Sequence, residues 1–353
     1  MNKPKVKVLV VDDSALVRKI LKGILESSSD IEVVGTAPDP LVARNKIKQL
    51  NPDVLTLDVE MPGMDGITFL KNLMRLRPMP VVMVSTLTER GAGITLEALE
   101  VGAVDFIAKP KFDFSHGIQR YTEQIIHKVK VAARAKVKPY KPDTTVVPNR
   151  AGSASSIGFS TTDKVIAIGA STGGTEAIRS VLTALPSDSP GILITQHIPP
   201  KFSERFAERL DRLCALRVSE ARDGEPVLPG RAYIAPGDRH LELTRNGARY
   251  VCRLRNGNSV SGHKPSVDVL FKSVARVAGS NSMGVILTGM GADGAEGLGD
   301  IQRTGAHTIA QDEQTSVVWG MPGEAVKRGN AEKVLPINEV ASAIVTGLVA
   351  WPV

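Results

Sequence analysis

The chain is predicted to be an α/β protein built from two parallel-sheet domains, and three observations carry that prediction. Short β-branched-rich runs alternate with helical patterns through the first 130 residues, and the alternation resumes at residue 164. Between them, residues 131–163 lose hydrophobic period and carry Pro139, Pro142, Pro148 and a Gly-Ser-Ala-Ser-Ser run, the composition of a flexible linker. A length of 353 residues, 42% apolar and 23% charged, suits two soluble globular domains. Domain boundaries are therefore set at 1–130, 131–163 and 164–353.

In the first domain, strands are expected at 6–11, 31–36, 54–58, 81–85 and 104–107, with helices at 16–25, 67–75 and 94–100 and a closing helix over 116–135. Five strand–helix repeats imply an open parallel sheet covered on both faces, with any site beyond the carboxyl ends of the strands. In the second domain, strands are expected at 165–168, 192–195, 232–235, 250–254, 283–287 and 307–310. Helices are expected at 175–185, 202–213, 267–277, 295–304 and 340–349, and residues 233–254 read as an antiparallel hairpin inserted in the sheet.

The net charge of +7 first suggests an acidic partner. From residue 128 to 164, however, eight Lys or Arg face two Asp, so most of the excess lies in one stretch that spans the linker and its flanks, and it reads as a solvated spacer in preference to a nucleic-acid arm. Cys214 and Cys252 share no metal-type spacing and read as free buried thiols of a reducing compartment. The apolar run 8–11 is too short for a signal peptide, and no segment approaches the ~20 apolar residues of a membrane span, so a cytoplasmic protein is expected.

Two groups of residues fall at strand ends. Asp12 and Asp13 follow the first strand and Asp58 ends the third; three converging carboxylates repel unless a hard cation such as Mg²⁺ bridges them. Lys109 adds a positive group beyond the fifth strand, and Ser85 a hydroxyl at the end of the fourth. A cis bond to Pro110 would aim the lysine. A carboxylate held beside two cations can attack a phosphoryl group.

In the second domain, the run Ile168-Gly-Ala-Ser171-Thr-Gly-Gly174 ends a strand at a small, Gly-flanked serine. The N–H groups of the following helix point at the same spot, which suits a nucleophile whose oxyanion needs stabilisation. His197 and Asp293 also follow strands and supply a base and its orienting acid. Each residue has a plainer alternative: phosphate cradle or cap for the serine, structural residue for the histidine, N-cap for the aspartate. His240, after Pro236-Gly-Asp238, is the other histidine in a comparable setting.

Residues 5 to about 130 resemble the receiver domain of bacterial response regulators, through Val-Val-Asp12-Asp13-Ser, Thr-Leu-Asp58-Val-Glu-Met-Pro-Gly-Met-Asp-Gly66, Ser85 and Lys109-Pro110. The resemblance implies a flavodoxin-like fold in which a histidine kinase phosphorylates Asp58. Asp12, Asp13 and the carbonyl of Glu60 would hold Mg²⁺, and Ser85, Phe106 and Lys109 would be switch positions.

Residues 164–350 resemble the catalytic domain of the chemotaxis protein-glutamate methylesterases. The motifs are the Ser171 run, Gln-His197-Ile-Pro, Tyr-Ile-Ala-Pro-Gly-Asp-Arg-His240-Leu-Glu-Leu, Thr-Gly-Met290-Gly-Ala-Asp293-Gly and Ser-Val-Val-Trp-Gly-Met-Pro322. This implies a Ser171–His197–Asp293 triad with Met290 supplying the oxyanion-hole N–H. It implies hydrolysis of glutamate methyl esters and deamidation of glutamines on chemoreceptors, with no cofactor for the ester chemistry and no nucleic acid. It also implies peripheral association with membrane receptor arrays and autoinhibition relieved by phosphorylation. The competing reading is a receiver-controlled phosphate or nucleic-acid binding module without catalysis; no Walker lysine or complete dinucleotide fingerprint supports it.

Overall fold

The computed structural model describes residues 4–86, 88–109, 118–137, 139–140 and 163–349. The chain divides into two compact units, Met1–Pro142 and Asp143–Val353. Most of the predicted linker, and Pro110 with its expected cis bond, lie outside the described residues.

The first unit runs β1 Val6–Val11, α1 Ala15–Glu26, β2 Ile31–Ala37, α2 Pro40–Leu50, β3 Val54–Asp58, α3 Gly66–Leu76, β4 Val81–Ser85, α4 Glu89–Val101, β5 Asp105–Ala108 and α5 Ile118–Ala132. The strand order is β2-β1-β3-β4-β5, every pairing parallel. This is the doubly wound order whose direction reverses at β1 and β3. Four helices begin on side-chain caps: Ser14, Asp39, Asp65 and Thr88 accept from the backbone N–H of Val17, Val42, Thr68 and Gly91. β3 and β4 are buried along their whole length, as strands covered on both faces must be.

The second unit runs β6 Val165–Ala170, α6 Gly174–Ala184, β7 Gly191–Gln196, α7 Phe202–Leu213, β8 Arg217–Glu220, β9 Arg231–Ile234, β10 His240–Asn246 and β11 Arg249–Arg255. It continues with α8 Val267–Ala278, β12 Ser282–Ile286, α9 Ala295–Arg303, β13 His307–Gln311, α10 Met321–Lys327, β14 Lys333–Leu335 and α11 Ile337–Val349. Seven strands form one sheet in the order β14-β13-β12-β6-β7-β9-β8, all pairings parallel. The chain leaves β6 toward β7 and later returns to β12 on its other side, so the order reverses at β6.

The expected hairpin needs correction. Tyr233 lies in β9, a parallel member of the main sheet, and the hairpin is β10 with β11, paired as a separate two-stranded sheet. Leu241, Leu243, Tyr250 and Cys252 of the hairpin join Leu270, Phe271 and Val274 of α8 in the core, so it packs on the domain and does not extend the main sheet. The edge strands β8 and β14 and the short helix α10 were not anticipated. The strands have four and three residues with exposed positions, too short for a hydrophobic period.

Cys214 and Cys252 are free and buried, as expected. Burial pushes the Cys214 thiol up to about 12 and the Cys252 thiol higher still, which leaves both unreactive. No described helix is long and apolar enough to cross a membrane.

Candidate functional site

In the first unit, Asp12, Asp13 and Asp58 each offer a carboxylate oxygen within 4.8 Å of the others. Asp12 and Asp58 are fully buried. The Lys109 ammonium lies 2.8 Å from Asp58 Oδ2 and 3.4 Å from Asp12 Oδ2, the latter too poorly aligned to count as a hydrogen bond. The Asp12 carboxyl is raised by burial, with Lys109 opposing. Burial pushes Asp58 up to about 6, with the Asp12 charge adding to it and Lys109 again opposing. Buried oxygens in excess of their donors fit a hard divalent cation.

The Glu60 N–H donates to Asp58 Oδ1 at 3.2 Å, which places that residue beside the cluster. The Ser85 hydroxyl reaches the carbonyls of Thr86 at 3.2 Å and Gly91 at 3.3 Å, so it is engaged with the start of α4. Phe106 is buried, with the Lys128 ammonium 5.0 Å from its ring centroid.

In the second unit, Ser171 follows β6, His197 follows β7 and Asp293 lies beyond β12: three adjacent strands at the order reversal. The Ser171 turn is pinned on several sides. Its N–H donates to Thr288 O at 3.0 Å, and its carbonyl accepts from Gly174 N at 2.7 Å and Gln196 Nε2 at 2.8 Å. Gly173 sits at φ +75°, a left-handed conformation that glycine adopts without steric cost.

His197 Nδ1 lies 3.1 Å from Ser171 Oγ, and its Nε2 lies 2.8 Å from Asp293 Oδ2. A carboxylate only accepts, so Nε2 carries the proton and Nδ1 presents a lone pair to the serine hydroxyl. Asp293 is 2% exposed. Besides His197, it receives Ser266 Oγ and Val267 N at 2.8 Å and Asp268 N at 3.0 Å. These three belong to the N-terminus of α8, whose dipole favours an anion. Burial alone would raise Asp293; His197 and the backbone donors Asp268 and Val267 outweigh it and hold the carboxyl below its ordinary range. The capping alternative is thus realised as well, on α8 in place of the helix that follows Asp293.

Met290 comes to Ser171 through Gly289. A Cβ at Gly289 would lie 2.8 Å from Ser171 Cβ and 2.3 Å from Met321 Sδ, so only glycine allows this approach. Gly289, the residue before Met290 in the chain, is thus the one in contact with the serine. His240 does not meet Ser171. It is fully buried, with Nε2 3.0 Å from Asn258 O, while the Ser266 N–H donates to its Nδ1 at 3.2 Å.

Sequence comparison matches residues 166–344 to the CheB methylesterase family and residues 8–121 to the response regulator receiver domain. The chain belongs to the CheB methylesterase family. Its relatives include a protein-glutamate methylesterase/protein-glutamine glutaminase 1 of Geobacter metallireducens, 57% identical over 346 residues, covering 96% of this chain and 95% of that one. A protein-glutamate methylesterase/protein-glutamine glutaminase of Salmonella typhimurium is 56% identical over 346 residues, covering 98% of each. The crystal structure of the Thermotoga maritima CheB methylesterase catalytic domain is 38% identical with a TM-score of 0.51, covering 52% of this chain and 97% of that one. The noncatalytic binding module finds no support.

Within the CheB methylesterase frame, sequence reasoning missed the residues that hold the site. Gln196 stands in the Gln-His197-Ile-Pro motif, but no supporting role was expected of it. Thr288 donates to Thr172 O at 3.0 Å and receives Val318 N at 3.0 Å, tying the Gly289 strand end to the Ser171 turn. Ser266 had one legible signal, as a serine directly before a helical pattern.

Proposed function

We propose that this chain hydrolyses glutamate γ-methyl esters on chemoreceptors and deamidates glutamines there, with the esterase governed by phosphorylation of Asp58. The observation that carries the reading is the continuous contact Ser171 Oγ–His197 Nδ1–His197 Nε2–Asp293 Oδ2, at 3.1 and 2.8 Å.

Ser171 Oγ attacks the γ-carbonyl carbon while His197 Nδ1 takes its proton. The Met290 N–H stabilises the oxyanion, and Asp293 stabilises the imidazolium. The tetrahedral intermediate collapses, and the Nδ1 proton passes to the leaving oxygen, releasing methanol; from a glutamine, ammonia leaves instead. A water then gives its proton to Nδ1 and attacks the acyl-serine. Collapse releases the glutamate carboxylate and returns the proton to Ser171. One site serves both reactions because both are acyl transfers at the same carbon.

In the first unit, Asp58 is the acceptor for a phosphoryl group from a histidine kinase. Asp12, Asp13 and the Glu60 carbonyl would hold Mg²⁺, which supplies charge neutralisation when bound. Lys109 holds the Asp58 carboxylate, and Ser85 and Phe106 are the positions that respond. Residues 131–163 are proposed as the linker between a receiver over 1–130 and a catalytic domain over 164–353. The protein acts in the cytoplasm on membrane receptor arrays.

The test is methanol release from methylated receptor membranes by wild type and Ser171→Ala, each with and without Mg²⁺ and a small-molecule phosphodonor. Release that vanishes in Ser171→Ala and rises with phosphodonor is expected. Release by Ser171→Ala would overturn the triad; release indifferent to phosphodonor would overturn the switch.

A further inference from the structure

The loop 256–266, between β11 and α8, carries one histidine, His263. The His263 ring is stacked on His197: their centroids are 3.7 Å apart and their planes differ by 8°. The stack is delivered by a tight turn. Val260 and His263 exchange both backbone hydrogen bonds, at 3.0 and 2.9 Å, around Ser261 at φ +53° and Gly262 at φ +81°. Two successive positive φ angles are the requirement of a type I′ turn, and Ser261 adopts one without being glycine.

The loop is also fastened near both ends by one buried imidazole. His240 contacts the carbonyl of Asn258 through Nε2 and accepts from the N–H of Ser266 through Nδ1. Ser266 in turn donates to Asp293. The segment that presents His263 is therefore built into the support of the acid.

The His197 hydrogen bonds to Ser171 and Asp293 both run through ring nitrogens, so they fix two points of the ring. Tilting about the line joining those nitrogens breaks neither bond at first order. A flat contact on the ring face opposes that tilt. It also sets a π surface against a ring that becomes cationic when it takes the serine proton.

We infer that His263 is a positioning residue of the esterase, which stacks on the general base and holds its plane between nucleophile and acid. The inference rests on the esterase reading above. It predicts that the ring face, and not the imidazole nitrogens, is what matters.

The full-length protein is assayed for methanol release from methylated receptor membranes as wild type, His263→Ala, His263→Leu and His263→Phe. Loss of a stacked pair corresponds to about a 3- to 10-fold loss in rate. That loss is expected in kcat for Ala and Leu with KM within about twofold, and Phe is expected to return kcat to within about twofold of wild type. His263→Leu fills the volume without a ring and replaces the Ala variant if that protein does not fold. In parallel, the His197 ring-proton resonances are followed by NMR. They should lose an upfield ring-current shift in Ala and Leu and keep it in Phe. Unchanged kcat in Leu, a Phe variant as slow as Leu, or resonances that stay in place in Leu would each overturn the inference. Release retained by Ser171→Ala would overturn the esterase reading instead, while the NMR shift would still report the stack.

Discussion

Asp58 and Asp293 are both buried carboxylates at or just beyond the carboxyl ends of parallel strands, each where strand order reverses, and their surroundings treat them in opposite ways. Asp58 shares its space with the Asp12 carboxylate and has Lys109 as its main offset; burial pushes it up to about 6. Asp293 receives a helix N-terminus, a hydroxyl and an imidazole, and is held below its ordinary range. Asp58 has one donor on each oxygen, from the Glu60 N–H and Lys109, while its neighbour Asp12 keeps a buried oxygen without a hydrogen bond, and this pair is the one proposed to receive a cation and a phosphoryl group. Asp293 is fully satisfied before any substrate arrives, as a preorganised acyl-transfer site requires. An incomplete site can be switched by what it binds, whereas a complete one is ready and must be regulated from elsewhere.

The largest test of this contrast is Asp293→Asn. An amide cannot stabilise the imidazolium, and it admits the wrong histidine tautomer. Methanol release should fall by about 10³- to 10⁴-fold with the fold retained. A fall of less than tenfold would mean that α8, and not His197, is what needs the charge.

Gly289→Ala attacks the same site through shape alone. The new methyl would press on Ser171 Cβ and Met321 Sδ. A displacement of the nucleophile by a fraction of an ångström to 1 Å predicts a loss of about 10²-fold in kcat/KM. Retention of wild-type rates would show that Ser171 and Met290 need not sit this close.

Asp58→Asn tests the incomplete site through stability. The folded protein holds the Asp58 proton up to about 6, against an ordinary value of 3.8. Between those values the folded state binds more protons than the unfolded state, so this group's contribution falls as pH rises through the window and stays low above it. In EDTA at pH 7, Asp58→Asn should raise the thermal midpoint, by the equivalent of about 1–3 kcal/mol, with the gain fading below pH 4. Mg²⁺ should raise the wild-type midpoint more than the variant's. An Asn variant that melts below wild type at pH 7 would show that Asp58 is satisfied after all.

Ser266→Ala is the smallest effect. It removes one of the donors to Asp293 and leaves the rest, so a loss of about tenfold in kcat is expected. No change would place the weight on the backbone N–H groups alone.

Much of this was legible from residue types. The β-branched runs marked most strands to within about two residues, because strands buried on both faces must be apolar throughout. Ser14, Asp39, Asp65 and Ser266 stand as N-caps at helix starts. Asp12, Asp13, Asp58, Ser171, His197 and Asp293 were found because a parallel sheet puts its chemistry beyond strand ends. The hairpin was misplaced because Tyr233 and Tyr250 both read as strand, and periodicity carries no information on which strand pairs with which. Edge strands β8 and β14 were missed because short, half-exposed strands have no apolar signature.

What the sequence determined by itself is local: where the chain extends or coils, where it turns, and which side chains can carry charge, protons or a nucleophile. What only the tertiary structure decided is pairwise: that His197 turns Nδ1 to Ser171 and Nε2 to Asp293, that α8 caps Asp293, that His240 fastens a loop, and that His263 lies flat on His197. Those contacts join residues 26 to 96 positions apart in the triad. Their energies depend on distance and orientation in space, which no local pattern of residue types encodes.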